Sequence, residues 1–155
     1  MREFVQCYRI VHFEFDKDEN VPCKAYPPKP EQCLHFFLHD PLAFEQADGT
    51  KSYQPPILLI GQRTSLVKHL NGNNLLNEQI VYQPTAVFRL TGIPAYEITN
   101  RSLDAMCIFP NTIQSVFEHL QSAKDYSALL HIIDCFAQEL VRHVQKEVLP
   151  LDFTS

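Results

Sequence analysis

The strongest constraint on this chain is where its helix breakers fall. Ten of its eleven prolines and all four glycines lie at or before residue 110, and residues 111–149 contain neither. Proline and glycine punctuate turns between short elements, whereas a stretch free of both is open to long helices. The distribution predicts an α+β fold, with a β-rich front over about residues 1–92 and a helical back over about 94–149. At 155 residues the chain has the length of one domain, enough to bury about 70% of its unfolded surface. It therefore reads as a single domain, 1–155, with 1–92 as a sheet subregion and 93–155 as a helical linker or dimerisation subregion.

The front half predicts many short strands. Residues 7–15 are rich in β-branched and aromatic side chains. Residues 32–39 alternate, with Leu34, Phe36 and Leu38 on one face and Cys33, His35, Phe37 and His39 on the other. Asp48-Gly49 is a hairpin signal between strands at 43–46 and 50–54. A short apolar run at 57–60 ends at Gly61. The run from Asn71 to Asn74 is a second hairpin signal, between strands at 66–70 and 75–82, and a further strand is expected at 86–90. Such spacing fits an antiparallel sandwich or small barrel better than a parallel sheet.

The back half changes period. Asn111 to Gln114 fits a variant capping box, and Ile113, Val116, Phe117 and Leu120 recur at helical spacing. After a break at 122–124, a stripe runs from Tyr126 through Leu129, Leu130, Ile133, Phe136 and Ala137 to Leu140, Val141, Val144 and Val148. It is wider than one contact against a sheet requires. Part of it is expected to meet a second copy of the chain, with Phe136, Leu140 and Val144 as the dimerisation residues.

Composition narrows the function. Hydrophobic residues make up 45% and charged residues 20%, a globular balance that excludes disorder and coiled coil. No apolar run reaches the ~18 residues of a membrane span, and no signal-peptide pattern opens the chain, so no membrane partner is expected. The net charge is −5 and no two of the thirteen Lys and Arg are adjacent, which argues against these residues gripping nucleic acid. The five cysteines form no CxxC pair, which reads as reduced, mostly buried thiols in a cytoplasmic protein.

Signatures of catalysis are absent. There is no GxSxG, no GxGxxG, no Walker loop and no His-flanked cysteine motif. The carboxylates Asp16, Asp18 and Glu19 sit in a polar stretch that reads as a solvated loop. Cys33, His35 and His39 share a strand face, but no glutamate accompanies them within the strand, so neither a metal nor another cofactor is assigned. Residues 88–98 superficially resemble the glycine-centred turn of a helix-turn-helix. The preceding residues 75–90 read as strand, and Arg101 is the nearest cation, so the segment is expected to be a strand ending at Gly92 and a short helix from Pro94.

What remains is the interior. Tyr8, Phe36, Phe37, Tyr53, Tyr82 and Phe88 offer aromatic walls, and His35, Gln62, Arg63, Gln83 and Arg89 offer polar handles. Apolar walls with sparse polar groups suit a small-molecule pocket. The set chosen as ligand-binding is His35, Phe37, Gln62, Arg63, Tyr82 and Arg89, on the expectation that the Phe36 and Phe88 segments are walls of one closed sheet.

The order of motifs resembles the N-terminal sensor region of a subgroup of AraC-type transcriptional regulators. The segments carrying the likeness are CYRIVHFEF at 7–15, KAYPPKPEQCLHFFLHDP at 24–41, ILLIGQRTSLVKHLNGNN at 57–74 and FRLTGIPAYEITNRSLDAMCIF at 88–109. Within them Pro30 to His39, Gly61 to Arg63, Phe88 to Gly92 and Glu97 to Asp104 follow the subgroup's order, so the likeness spans about residues 5–145. The resemblance implies a cupin-like β-barrel followed by helices that link and often pair two subunits. It also implies a role in sensing an effector or dimerising for transcription control. In that family DNA is bound by a C-terminal module with paired helix-turn-helix units, which is expected to lie outside a chain that stops at Ser155. The expected function is thus a non-enzymatic ligand-sensing and dimerisation domain with an unidentified small-molecule effector. The alternatives are a cupin-like metal-dependent enzyme using His35, His39 and a distant ligand, and a structural interaction domain packed too tightly for any ligand.

Overall fold

A computed structural model describes residues 1–18, 24–109 and 112–147. Two antiparallel sheets and a layer of helices are stacked in three tiers. The larger sheet has the order β1 (Val5–Glu14), β8 (Asn74–Tyr82), β3 (Gln32–Phe37), β6 (Ile57–Ile60) and β9 (Ser102–Asp104). The smaller has the order β2 (Lys24–Tyr26), β7 (Val67–Leu70), β4 (Ala43–Glu45) and β5 (Lys51–Tyr53). The helices are α1 (Ala86–Thr91), α2 (Ala95–Ile98), α3 (Thr112–Gln121) and α4 (Tyr126–Glu147). Among the described residues no strand of one sheet pairs with a strand of the other. The sheets therefore do not close into a barrel.

Alternation in the larger sheet builds a separate core on each face. Leu34 and Phe36 of β3, Ile57 and Leu59 of β6, and Leu76 and Ile80 of β8 join the helices in one continuous cluster. Phe37, Leu58, Ile60 and Leu75 turn the other way and pack with Leu42 and Phe44 against the smaller sheet. β6 is buried on both faces, which is why its four residues are all apolar.

The helices follow the expected period. Ile113, Phe117 and Leu120 of α3 are buried, and so are Leu129, Ile133, Phe136, Ala137 and Val141 of α4. Asp125 caps α4, its Oδ1 accepting from Ala128 N at 2.7 Å. Phe136 meets Phe36 edge-on, with centroids 6.1 Å apart. The capping residue expected at Asn111 and the stripe's end at Val148 lie outside the described residues. No helix among the described residues is long and apolar enough to cross a membrane.

Several expectations need correction. Residues 86–90 form a helix, not a strand. Ala86 and Val87 are buried, and Leu90 packs partly against the same cluster; that spacing suits a helical turn and defeats strand alternation. Gly92, at φ 76°, closes the helix with its N–H on Phe88 O at 2.7 Å. Phe88 is 54% exposed on this helix and is no wall of the sheet. Helix therefore starts near residue 86 rather than 94, and β9 interrupts the helical back half. The turn at 71–74 is real, but β7 and β8 belong to different sheets and do not pair as a hairpin. The hairpin at Asp48-Gly49 forms, with Ala43 opposite Tyr53 and Glu45 opposite Lys51. Helices α1 and α2 do flank Gly92, but α2 is a single turn and Arg101 lies beyond it, too short a platform to read a DNA groove. Of the cysteines, Cys33 is buried while Cys7, Cys107 and Cys135 are exposed, so the thiols are not mostly interior; Cys23 lies outside the described residues.

Gly61 is fixed by close approach. A Cβ built there would lie 1.9 Å from the carbonyl oxygen of Ile98, the buried residue of α2. Gly61→Ala is expected to cost about 1–3 kcal/mol, the usual penalty of overpacking, read as a lower urea midpoint with an unchanged slope.

Candidate ligand-binding cavity

Between the two sheets lies a cavity of about 110 Å³. This is below the about 300–1,000 Å³ of sites for drug-sized molecules, so it suits a small body. The larger sheet supplies one wall through residues of a single parity: Arg9 and Val11 of β1, then Cys33, His35 and Phe37 of β3. β8 continues that wall with Leu75, Asn77 and Gln79. Opposite stand Val67 and His69 of β7, with Arg63 from the loop before it. Lys29 and Glu31, from the segment leading into β3, sit at its border.

The polar groups are held in two clusters. Arg9 Nη2 donates to Glu31 Oε1 at 2.6 Å and its Nη1 reaches Gln79 Oε1 at 3.4 Å. The Glu31 carboxylate holds the Arg9 guanidinium above its ordinary range. Burial pushes the Cys33 thiol up to about 12, with Glu31 adding to the shift, so this sulfur stays protonated and is no nucleophile.

The second cluster is built on histidine. Asn77 Nδ2 donates to His35 Nδ1 at 3.1 Å, and the imidazole stacks on Phe37 with centroids 5.7 Å apart. Accepting at Nδ1 makes His35 the Nε2–H tautomer. Burial lowers its pKa to about 3, with His69 contributing. His69 is lowered to about 4 by burial and by the charge of Arg63. Both rings are therefore neutral donors and acceptors at pH 7. Arg63 Nη2 donates to Ser102 Oγ at 2.7 Å, its guanidinium lies 5.8 Å from the Phe44 ring centre, and its Nε is buried without a partner.

Three of the six expected ligand-binding residues, His35, Phe37 and Arg63, line this cavity. The other three do not. Gln62 accepts from Gln32 Nε2 at 2.7 Å and donates to Thr99 Oγ1 at 2.6 Å, which ties β3 to the end of α2. Tyr82 shares the parity of Leu76 and Ile80 and is buried on the helix side. Arg89 sits on α1, 4.2 Å from the Phe4 ring centre and 3.4 Å from Glu3 Oε2. Of the remaining aromatic and polar candidates, Phe36 faces the helices and Tyr53 is 67% exposed. Tyr8 donates to Asp134 Oδ1 at 2.7 Å, and Gln83 Nε2 donates to Arg2 O at 3.1 Å.

Sequence reasoning missed Arg9, His69, Asn77 and Gln79. The last two were legible: Leu75, Asn77 and Gln79 have one parity, opposite to Leu76 and Ile80. Polar residues at alternate positions of a strand buried on both faces mark a wet face.

His39 follows the end of β3, is exposed, and bonds Asn74 Oδ1 at 2.9 Å. It does not converge with His35 on one centre. Among the described residues no group of three or more His, Cys, Asp or Glu is placed to hold a metal ion.

The dimerisation residues divide similarly. Phe136 is 3% exposed, enclosed by the chain's own core. Leu140 packs partly against that core and Val144 is half-buried. The apolar side chains that α4 does expose are Tyr126 and Leu130. No protein-family model matches this chain, and no curated protein matches it either.

Proposed function

We propose that the chain is a ligand-sensing and dimerisation domain of an AraC-like transcriptional regulator, which binds a small-molecule effector and performs no catalysis itself. The observation that carries the reading is the cavity between the sheets, apolar in most of its wall and set with a few oriented polar groups. The Phe88 wall on which the expectation leaned does not contribute; Phe37, His35 and Arg63 take its place. The sequence resemblance supplies the class of regulator, with DNA contact assigned to a helix-turn-helix module outside these residues, in the cytoplasm. The cupin-like likeness is kept at the level of two facing antiparallel sheets.

A ligand that binds the native state and not the unfolded one raises the unfolding midpoint, by about 2.7 kcal/mol of stability at a hundredfold excess over Kd. A thermal-shift screen of small metabolite-like compounds is expected to find at least one that does so in the wild-type protein, and not when Asn77→Leu fills the cavity wall. A screen without a hit would leave the structural interaction domain as the better reading. Light scattering across a concentration series is expected to show a dimer; a monomer throughout would remove that half of the proposal.

A further inference from the structure

We infer that the ligand of this cavity is a small organic carboxylate, held by the Arg63 guanidinium and the His35 Nε2–H, with its apolar body against Phe37, Leu42 and Val67. The inference rests on reading the cavity as a ligand site and adds the chemical class.

Charge is the first argument. The chain carries a net charge of −5, yet among the described residues this cavity is bordered by Arg9, Lys29 and Arg63 against one carboxylate, that of Glu31. Glu31 is already engaged by Arg9 at 2.6 Å. Arg63 has no carboxylate within ion-pair reach among the described residues. A partly buried guanidinium without a counter-charge is costly to keep, and this one spends a single N–H on the neutral Ser102 hydroxyl. Its remaining donors match a planar carboxylate, the partner the guanidinium fork fits best.

A second donor comes from the His35 imidazole on the cavity wall. With Nδ1 occupied by Asn77, His35 has its Nε2–H left as a donor, and no hydrogen bond to it is made among the described residues. Burial and the neighbouring cations keep both imidazoles neutral. A negative charge brought among them finds donors and, among the described residues, no competing free carboxylate. The apolar remainder of the wall then selects an acid with a short hydrocarbon or aromatic body over phosphate or a sugar.

The test pairs acids with their neutral isosteres. Butyrate and benzoate, and separately butyramide and benzamide, are titrated into the protein at fixed ionic strength, with calorimetry and the imidazole NMR signals of His35 and His69 as readouts. The carboxylates are expected to bind and to shift both rings, with the amides at least about tenfold weaker. Arg63→Gln is expected to bring acid and amide to within about threefold of each other. Arg63→Lys, which keeps the charge and loses the fork, is expected to fall between and covers the case in which the glutamine variant does not fold. Amides that bind as tightly as the acids would overturn the carboxylate assignment while leaving a ligand site. Acid binding unchanged in both Arg63 variants would overturn it too. Failure of all four compounds to bind would overturn the carboxylate assignment, while the sensing reading beneath it would stand or fall with the thermal-shift screen.

Discussion

Phe136→Ala is expected to cost about 3–5 kcal/mol of folding stability, the range for truncating a fully enclosed aromatic side chain. Phe136 is 3% exposed, lies edge-on to Phe36, and stands between Ile133 and Ala137 in the stripe that α4 lays on the larger sheet. Nothing nearby is free to fill the space: Phe36 is held in β3 between two neighbouring strands. The loss should appear in urea unfolding as a midpoint lower than that of the wild type by the same amount at every protein concentration. A residue whose main contact lay across a dimer interface would behave otherwise, its effect shrinking at dilutions where the chain is a monomer. A cost below about 1 kcal/mol would contradict the packing described here.

Stability is also expected to depend on pH through two half-buried histidines that line the cavity and one buried acid, acting in opposite senses. In the unfolded chain histidine titrates near about 6.5; folded, His35 stays neutral down to about pH 3 and His69 to about 4. Below pH 6.5 the unfolded chain takes up protons that the folded chain refuses. Stability therefore falls on acidification, by up to about 1.4 kcal/mol per unit for each ring and by less where the half-buried rings meet water. Glu78 works against this. It is wholly buried on the helix side of β8, across from Ile10 and Phe36, and neither carboxylate oxygen has a hydrogen-bond partner. Burial raises its pKa to about 7, against about 4.3 when unfolded, so folding favours the protonated acid. That contribution is complete below pH 4 and is lost as pH rises to 7, a change of about 3 kcal/mol. Between pH 7 and 4 the histidines outweigh it, and the net loss is at most about 3 kcal/mol. Glu78→Gln isolates the acid. Relative to wild type it should gain up to about 3 kcal/mol at pH 8 over its value at pH 4. If urea titrations of the two proteins run parallel across that range, the acid is not buried as described.

How much of this could be read beforehand follows physical lines. The alternation of Leu34 and Phe36 against Cys33, His35 and Phe37 was legible because a strand sandwiched between layers must divide its side chains. The helical stripe of α4 was legible for the same reason at another period. Residues 86–90 were misread because a short apolar run carries too few positions to separate helical from strand spacing, and the deciding feature, Gly92 as a left-handed cap, has its effect after the run ends. β2 and β9 are three residues each and have no pattern to read. The loop at 71–74 announces a reversal but not which sheet each arm joins, since that depends on partners elsewhere in the chain. The cavity suffered most from this limit. His69 and Arg9 lie on different sheets and 60 positions apart, and only the stacking of the sheets makes them neighbours of His35.

The larger sheet is one peptide thick, and successive residues of β3 report to different places: His35 to the cavity, Phe36 to Phe136 on α4. It is placed to act as a diaphragm. A shift of β3 from the side of the imidazole would carry Phe36 against the middle of a helix 22 residues long, and a tilt of about 5° there would move either end of that rod by roughly 1.5 Å.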